Sequence, residues 1–368
     1  MDASVNRISY SKDDRALLIS IFIKGENRGK CEYSLEELIL LVNTAGGIVV
    51  DTMTIKRDAI DPAYIFGFGY IEIIKKIIEE KNIKLIVFDL NNIKPAQIRN
   101  LEDKLKCRVI GRNEVILDIF IQRAKSAEAK IQVELAQLKY ILPRLKGLGG
   151  VLSRLGGGIG TRGPGETMLE TDKRHIQKRI VVLKDKLKKF EEHRRRVRNS
   201  RGNKFLGSVV GYTNAGKSTL INLIAKDDLF VEDRLFATLD SYTRSVYITP
   251  EITVLLTDTV GFIQNLPANL IESFKSTLED IENSDFIIHV IDINAPDIES
   301  NMKTVESELS QLKIESKPVI LFFNKTDKAP ENVINLIKNK YPDSISGSAK
   351  TSEGIDQLKE LITKLYRS

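Results

Sequence analysis

The stretch GYTNAGKS at residues 211–218 decides the fold of this chain. It fits the pattern G-x-x-x-x-G-K-[ST], in which a glycine-rich turn joins a strand to a helix and cradles phosphate groups. The apolar run 205–210 precedes it as a short buried strand would, and the run 219–225 follows as the first turns of a helix would. Backbone N–H groups and the positive end of a helix dipole then point at one place, where a phosphate can bind. The alternative is a glycine turn that matches by chance.

Three further motifs follow the ends of apolar, strand-like runs. DTVG (258–261) gives D-x-x-G, NKTD (324–327) gives N-K-x-D, and SAK (348–350) completes the set. Ligands bind at the carboxyl ends of the strands in an open parallel sheet, which is where each motif begins. Four motifs in this order are hard to produce by chance. Residues 201–368 therefore resemble the translation-factor-like GTPases and are expected to form a P-loop GTPase (G) domain that binds GTP and GDP.

This resemblance assigns roles around the phosphates. Lys217 is expected to reach the β- and γ-phosphates, and the Ser218 hydroxyl to hold Mg²⁺. Asp258 is expected to hold Mg²⁺ through water, while the Gly261 amide senses the γ-phosphate. Thr238 is the candidate for a second Mg²⁺ contact. We therefore expect Lys217, Thr238 and Gly261 to act in catalysis, and Ser218 and Thr238 to ligate the metal.

Guanine recognition is assigned to the last two motifs. The Asp327 carboxylate would accept hydrogen bonds from N1–H and N2–H₂, donors that guanine has and adenine lacks, and a buried acceptor left unpaired discriminates strongly. Asn324 would also bind the base, the Ala349 amide would meet its O6, and Lys325 would pack along the nucleotide. The expected nucleotide-binding residues are Gly211, Tyr212, Thr213, Asn214, Ala215, Gly216, Lys217, Ser218, Thr219, Phe236, Ala237, Thr238, Leu239, Asp240, Asp258, Thr259, Val260, Gly261, Asn324, Lys325, Thr326, Asp327, Ser348, Ala349 and Lys350.

Three questions of mechanism are left open. Many GTPases have a water-orienting glutamine after D-x-x-G. Phe262 stands there in this chain, and Gln264 lies two residues too far along, so slow intrinsic hydrolysis is expected until a partner completes the site. Asn214 is a candidate K⁺ ligand, with a purely turn-shaping role as the alternative. Thr243 is the alternative to Thr238 as the second metal contact.

Residues 1–115 alternate strand-like runs with helix-like segments and predict a small parallel α/β sheet domain. Strands are expected at 16–23, 47–55, 84–89 and 107–110, and helices at 35–42, 70–78 and 95–105. Ser34 is expected to cap the first of these helices. The glycines of the turn at 67–69 are interpreted as structural, with a second nucleotide site as the alternative.

Residues 116–200 predict an antiparallel helical hairpin, with two unrelated core helices as the alternative. Apolar residues recur at steps of four and three along two segments, and Glu128 and Arg194 are the polar interruptions. The two seams are Leu117, Ile121, Ala124, Ile131, Leu135, Leu138, Leu142 and Leu145, and then Ile176, Ile180, Leu183, Leu187, Phe190 and Val197.

The predicted hairpin carries two features that favour RNA. Its tip, the Gly-rich loop 147–165, includes Arg154 and Arg162, and arginines on such a loop can approach bases and phosphates closely. Its second helix has thirteen Lys or Arg against three Asp or Glu between residues 173 and 201. A flexible linker and a solvated charged face are the respective alternatives. The excess of one sign favours a phosphate backbone as partner.

Composition sets outer limits on the molecule. The 368 residues suffice for two or three domains, with 42% hydrophobic and 29% charged residues. No apolar run approaches the ~20 residues that span a bilayer. The N-terminus lacks the apolar core of a signal peptide, and two cysteines are too few for a disulfide framework. We expect a cytoplasmic monomer, and the net charge of +6 implies a polyanionic partner where it is clustered.

The glycine-rich segment makes the resemblance specific. GGGIGTRGPGETMLETD (156–172), LDIFIQRA (117–124) and LFATLD (235–240) are similar to the HflX family of ribosome-associated GTPases. Met168 and Tyr70 depart from that family's usual glutamine and lysine. The resemblance implies a GTPase that binds the large ribosomal subunit and its rRNA, acting in translation or in ribosome rescue and recycling. A ribosome assembly GTPase, or an RNA-dependent nucleotidase or RNA-remodelling factor with a regulatory G domain, remains the alternative.

Overall fold

The computed structural model describes residues 14–145, 164–200, 204–225, 235–236, 242–264, 275–311, 314 and 317–368. The chain divides into two compact units. The first comprises residues 1–122, 130–188 and 267–270, and the second comprises residues 123–129, 189–266 and 271–368. In the described part of the chain, no helix combines the length and apolar character needed to cross a bilayer.

The first unit contains a four-stranded parallel sheet in the order β2-β1-β3-β4. Its strands are β1 (Arg15–Ile23), β2 (Ile48–Arg57), β3 (Leu85–Phe88) and β4 (Arg108–Gly111). Three helices connect them: α1 (Arg28–Ala45), α2 (Ile71–Lys81) and α3 (Pro95–Leu105). β3 is buried along its whole length, as expected where helices cover both faces of a parallel sheet. The small parallel α/β sheet predicted for the N-terminal region is confirmed.

Helix α1 begins earlier than predicted. Asn27 is its N-cap, because the Asn27 Oδ1 accepts a hydrogen bond from the Gly29 N–H at 2.9 Å. Ser34 therefore lies inside the helix, and the prediction that Ser34 caps it was wrong. The carbonyl oxygen and hydroxyl of Ser34 instead accept from Arg112 Nη1 at 3.2 and 3.3 Å.

The first predicted seam runs over two helices instead of one. Helix α4 (Arg112–Arg123) ends before α5 (Ala127–Leu145) begins. Ser126 explains the new start, because its hydroxyl accepts a hydrogen bond from the Ala129 N–H at 3.0 Å, as an N-cap does. The apolar seam predicted from Leu117 to Leu145 is therefore interrupted between Arg123 and Ala127.

Helix α5 packs against the long helix α6 (Pro164–Ser200) along an apolar seam. The seam comprises residues from both predicted segments: Ile131, Leu135, Leu138, Ile176, Ile180, Leu183 and Leu187. Beside it, Arg179 donates from Nε and Nη2 to the two carboxylate oxygens of Glu134, at 2.6 and 2.9 Å. Arg154 and Arg162 of the glycine-rich tip lie outside the described residues.

The second unit contains a six-stranded sheet in the order β10-β9-β8-β5-β7-β6. Its strands are β5 (Leu206–Gly211), β6 (Tyr242–Tyr247), β7 (Thr253–Asp258), β8 (Phe286–Asp292), β9 (Val319–Asn324) and β10 (Ile345–Ser346). The edge strand β6 runs antiparallel to β7, and the other pairs are parallel. The accompanying helices are α7 (Lys217–Ala225), α8 (Lys275–Glu282), α9 (Ile298–Gln311), α10 (Glu331–Lys340) and α11 (Ile355–Arg367).

This sheet brings the motifs to one edge. The central strand β5 has β7 and β6 on one side and β8, β9 and β10 on the other, so the strand order reverses at β5. A ligand crevice forms at such a switch point. Gly211, Asp258 and Asn324 are the last residues of β5, β7 and β9. The P-loop GTPase fold predicted for this region is confirmed.

Candidate functional site

The phosphate loop joins β5 to α7, and two of its glycines are required by close backbone approaches. Gly211 has φ +154°, and a Cβ on it would collide with the carbonyl oxygen of Val290. Gly216 has φ +93°, and a Cβ there would collide with Nδ2 of Asn324. Asn214 takes the left-handed conformation at φ +60°, which asparagine tolerates better than most residues. The loop is therefore wound tightly against the neighbouring strands.

Lys217 is buried at the start of α7 with its charge directed into the loop. Its Nζ donates to the carbonyl oxygens of Gly211 and Tyr212, at 3.0 and 2.9 Å. Burial lowers the pKa of Lys217 to about 8, and the nearby Asp258 carboxylate opposes that shift. A desolvated ammonium held in place by neutral carbonyls is suited to binding an anion, because an anion offsets its lost hydration.

Ser218 and Asp258 place two oxygen atoms together beside the loop. The Ser218 hydroxyl donates to Oδ2 of Asp258 at 2.5 Å, joining the first turn of α7 to the end of β7. A hydroxyl and a carboxylate are ligands that Mg²⁺ prefers. This pair therefore fits a magnesium ion.

The segment after β7 lies directly on the phosphate loop. The Thr213 N–H donates to the Phe262 carbonyl at 2.7 Å, and the Phe262 N–H donates to the Gly211 carbonyl at 3.1 Å. A Cβ added to Gly261 would lie 3.0 Å from Nζ of Lys217, so the Gly261 backbone comes close to that ammonium. Thr259 connects the segment to β5, since its hydroxyl donates to the Val209 carbonyl at 2.8 Å.

The side chains of Phe262 and Gln264 are both engaged elsewhere. Phe262 is buried in an apolar cluster with Val210, Ile281, Ile287, Val305, Leu309 and Ile314. Gln264 donates from Nε2 to the Ser300 hydroxyl at 3.0 Å, at the start of α9. Both side chains are therefore committed to other contacts, Phe262 to apolar packing and Gln264 to α9.

Asn324 connects the phosphate loop to the last motif. Its Nδ2 donates to the Ala215 carbonyl at 2.8 Å, and its Oδ1 accepts from the Ala349 N–H at 2.8 Å. One buried amide therefore fixes the separation between the loop that faces phosphates and the loop assigned to the base.

The residues assigned to guanine lie around Asn324. Asp327 accepts a hydrogen bond from the Ser348 hydroxyl at 2.6 Å, and this bond orients the carboxylate. The same hydroxyl oxygen accepts from the Lys350 N–H at 3.2 Å. Lys325 has φ +70°, and its Nζ lies 2.8 Å from Oδ2 of Asp292. The motifs at 324–327 and 348–350 thus form one connected loop pair.

The contacts of two residues, Glu353 and Tyr212, were not foreseen from the sequence. Glu353 supports both base motifs, because its Oε2 accepts from the Thr326 hydroxyl at 2.7 Å and its carbonyl accepts from the Ser348 N–H at 3.1 Å. The Tyr212 hydroxyl accepts from the Gln264 N–H at 2.8 Å. Neither residue belongs to a motif pattern that specifies these partners.

The switch residues are only partly described. Phe236 is buried and has φ +53°, whereas Ala237, Thr238, Leu239 and Asp240 lie outside the described residues. Thr243, the alternative to Thr238, lies in β6 with its hydroxyl 3.0 Å from that of Thr257. The roles of Thr238 in catalysis and in metal binding therefore stay predictions.

Family models match along most of the chain. The model described as "GTP-binding GTPase N-terminal" matches residues 32–121, and "GTP-binding GTPase Middle Region" matches residues 123–201. The model described as "50S ribosome-binding GTPase" matches residues 207–325.

Curated relatives and solved structures agree with these matches. GTPase HflX of Caldanaerobacter subterraneus is 45% identical over 353 residues, which is 95% of this chain and 80% of that protein. GTPase HflX of Lacrimispora saccharolytica is 46% identical over 359 residues, 97% of this chain and 84% of that protein. The crystal structure of an SsGBP and GDP complex has the same fold at 24% identity, with a TM-score of 0.52 and coverage of 95% of this chain and 98% of that one.

Proposed function

This chain is a GTPase of the HflX family, and we propose that it associates with the large ribosomal subunit and acts in translation or in ribosome rescue and recycling. The observation that carries this proposal is an exposed basic helix in the same chain as the nucleotide site. The match of residues 207–325 to a model described as a 50S ribosome-binding GTPase supports the same partner.

The basic helix is α6. Its apolar side, centred on Leu183, is buried in the seam with α5. Its exposed Lys and Arg residues between 170 and 196 are Arg174, Lys178, Arg179, Lys184, Lys186, Lys188, Lys189, Arg195 and Arg196. Such a density of one charge is suited to neutralising RNA phosphates, and the resulting affinity falls steeply with salt. We infer that Arg154 and Arg162 also contact the rRNA.

At the phosphates, the geometry around Lys217 supports the proposed roles. Lys217 binds the β- and γ-phosphates, and the Gly261 amide, whose backbone lies close to it, senses the γ-phosphate. Ser218 and Asp258, whose oxygen atoms lie together, would hold Mg²⁺, with Asp258 acting through water, and Thr238 would be the second direct ligand. Bound Mg²⁺ would neutralise charge that develops on the phosphate oxygens. Loss of the γ-phosphate releases the contact at Gly261.

At the base, Asp327 selects guanine. Its carboxylate is oriented by Ser348, so that it accepts from the N1–H and N2–H₂ groups. The Ala349 N–H, which donates to Oδ1 of Asn324 at 2.8 Å in this structure, would donate instead to the base O6 when guanine binds. Lys325 lies along the nucleotide, where its pairing with Asp292 fixes its stem.

Hydrolysis by the free chain is slow, because the Phe262 side chain lies in an apolar cluster and the Gln264 amide is bonded to Ser300. The ribosome, or another partner, therefore supplies what orients the attacking water. Asn214 has two alternative roles, K⁺ ligation and shaping of the turn. Turnover that is faster in K⁺ than in Na⁺, and equal in the two salts for Asn214→Ala, indicates ligation.

We expect the protein to work in the cytoplasm as a monomer. A ribosome assembly factor whose GTP cycle times its release is the second candidate, and the same basic helix supports it. A subunit-splitting assay separates the two, since an assembly factor leaves intact ribosomes associated. An RNA-remodelling factor with a regulatory G domain is the third.

A chemical footprint on ribosomal RNA tests the proposal. The chain bound to the non-hydrolysable analogue GDPNP should protect a defined set of nucleotides on the large subunit and none on the small subunit. A variant with Arg154 and Arg162 changed to Ala should lose part of that protection. Absence of any protected nucleotide at physiological salt contradicts the proposed partner.

A further inference from the structure

Tyr212 connects the phosphate loop to the segment that follows β7. The residue lies directly after Gly211, and only 8% of it is exposed. Its hydroxyl accepts a hydrogen bond from the Gln264 N–H at 2.8 Å, across 52 positions in the sequence. A buried hydroxyl in this position has a fixed partner rather than water, so its loss is expected to have a measurable effect.

The Tyr212 contact is the outermost of three contacts that hold residues 261–264 on the loop. The other two are backbone hydrogen bonds: Thr213 N–H to the Phe262 carbonyl at 2.7 Å, and Phe262 N–H to the Gly211 carbonyl at 3.1 Å. Among the described hydrogen bonds, these two do not connect the residues beyond Phe262 to the phosphate loop. The hydrogen bond to the Tyr212 hydroxyl makes that connection.

Gln264 is held at both its backbone and its side chain. While its N–H bonds to Tyr212, its Nε2 donates to the Ser300 hydroxyl at 3.0 Å. Ser300 is itself placed by the start of α9, where its N–H donates to Oδ1 of Asp297 at 2.9 Å. The segment is therefore fixed between the phosphate loop and α9.

Gly261 is the residue of this segment that lies beside Lys217. Its backbone lies close to Nζ of Lys217, with only 3.0 Å between that nitrogen and a Cβ built on Gly261. A phosphate bound at Lys217 therefore lies within reach of the Gly261 amide if the segment keeps this position.

We propose that Tyr212 is a positioning residue for recognition of the γ-phosphate. Its hydroxyl holds residues 261–264 against the phosphate loop, so the Gly261 amide meets the γ-phosphate without the segment first being ordered. GDP ends at the β-phosphate and gains nothing from this arrangement. The hydroxyl thus favours GTP over GDP. This inference rests on the assignment of the γ-phosphate to Gly261 under the proposed function.

The size of the effect follows from one hydrogen bond. A single buried hydrogen bond contributes a factor of roughly three to ten in an equilibrium constant. Two backbone bonds remain when the hydroxyl is removed, so recognition of the γ-phosphate should weaken without being lost. Binding of GDP should change by less than about twofold.

The test is calorimetric titration of the full chain with GDP and with GDPNP, in Mg²⁺. Tyr212→Phe keeps the ring and removes the hydroxyl, and Tyr247→Phe on β6, where 72% of the residue is exposed, is the matched control. We expect Tyr212→Phe to raise the ratio of Kd for GDPNP to Kd for GDP by about threefold to tenfold. Tyr247→Phe should leave the ratio unchanged.

An unchanged ratio in Tyr212→Phe overturns the inference, and equal weakening of both nucleotides would then indicate a purely structural role for the hydroxyl. Gly261→Ala separates this from failure of the assignment it rests on. If Gly261→Ala raises the ratio and Tyr212→Phe does not, the inference about Tyr212 alone is wrong. If Gly261→Ala leaves the ratio unchanged, the γ-phosphate is not read at Gly261 and both are wrong.

Discussion

Arg194 and Glu128 form an ion pair, with 2.5 Å between Nη1 and Oε1. Nη2 of Arg194 also lies 3.8 Å from Oε2 of Glu279. The side chains of Arg194 and Glu128 are 22% and 18% exposed, so the pair is partly shielded from water. Removing one partner leaves the other charge without its closest counter-ion in that environment.

The pair should therefore stabilise the second unit cooperatively. Glu128→Ala and Arg194→Ala should each lower the free energy of unfolding by about 1–2 kcal/mol. The double variant should lose less than the sum of the two, as urea denaturation of all four proteins can measure. Strict additivity would show that the two charges do not interact in solution.

Ser218 and Asp258 should make nucleotide affinity depend on Mg²⁺. Ser218→Ala removes the hydroxyl expected to ligate the metal. The factor by which Mg²⁺ lowers the Kd for GDPNP should therefore be smaller in this variant than in the parent chain, by about tenfold or more. Titration of Mg²⁺ at fixed GDPNP measures this. Ser245→Ala, at an exposed position on β6, is the control and should behave as the parent does. An unchanged Mg²⁺ dependence in Ser218→Ala would rule out the assigned ligand.

Glu353 should contribute to guanine selectivity although it is outside every motif. Glu353→Ala removes the acceptor for Thr326 and loosens the N-K-x-D loop. GTP affinity should fall about threefold to tenfold, while the weaker ATP affinity changes little. Competition titrations with the two nucleotides give the ratio, and Glu360→Ala, an exposed position on α11, is the matched control. Equal losses for GTP and ATP would mean that Glu353 acts on the pocket as a whole.

Asp118 gives a prediction for stability against pH. Burial raises the pKa of Asp118 from 3.8 to about 7, and a hydrogen bond from Gln122 lowers it in part. Because the folded pKa exceeds the unfolded one, stability from this group is present below about pH 4 and is lost as pH rises to about 7. Asp118→Asn cannot ionise, so it should be more stable than the parent by about 1–3 kcal/mol at pH 8 and by less at pH 5.

Urea denaturation at the two pH values measures the effect. Asp185→Asn, at an exposed position on α6, should leave stability unchanged at both. A gain for Asp118→Asn that is the same at pH 5 and pH 8 would show that ionisation of Asp118 is not its cause.

Much of the site was predictable because its motifs follow the carboxyl ends of parallel strands, where ligands bind. Gly211, Asp258 and Asn324 end three strands of one sheet, and parallel strands direct their carboxyl ends to one edge. The apolar seam was predictable for a similar reason, since regular spacing places Leu135 and Leu183 on inward faces.

Two kinds of feature could not be predicted from the sequence: helix starts set by a side-chain cap, and hydrogen bonds between residues far apart in the chain. Ser126 begins a new helix where the apolar spacing continues, and Asn27 caps α1 ahead of Ser34, because a side-chain cap can start a helix regardless of the apolar pattern. The hydrogen bonds that Thr326 donates to Glu353 and Gln264 donates to Tyr212 span 27 and 52 positions. No pattern of neighbouring residues encodes such pairs.

We propose that the γ-phosphate controls how the basic helix α6 and the glycine-rich segment 147–165 engage ribosomal RNA. Cosedimentation of the purified chain with large ribosomal subunits, at matched salt in GDPNP and in GDP, tests it most directly. We expect the apparent Kd for the large subunit to be at least about tenfold lower in GDPNP than in GDP, and to rise steeply with salt. Equal retention in the two nucleotides, or none in either, would contradict it.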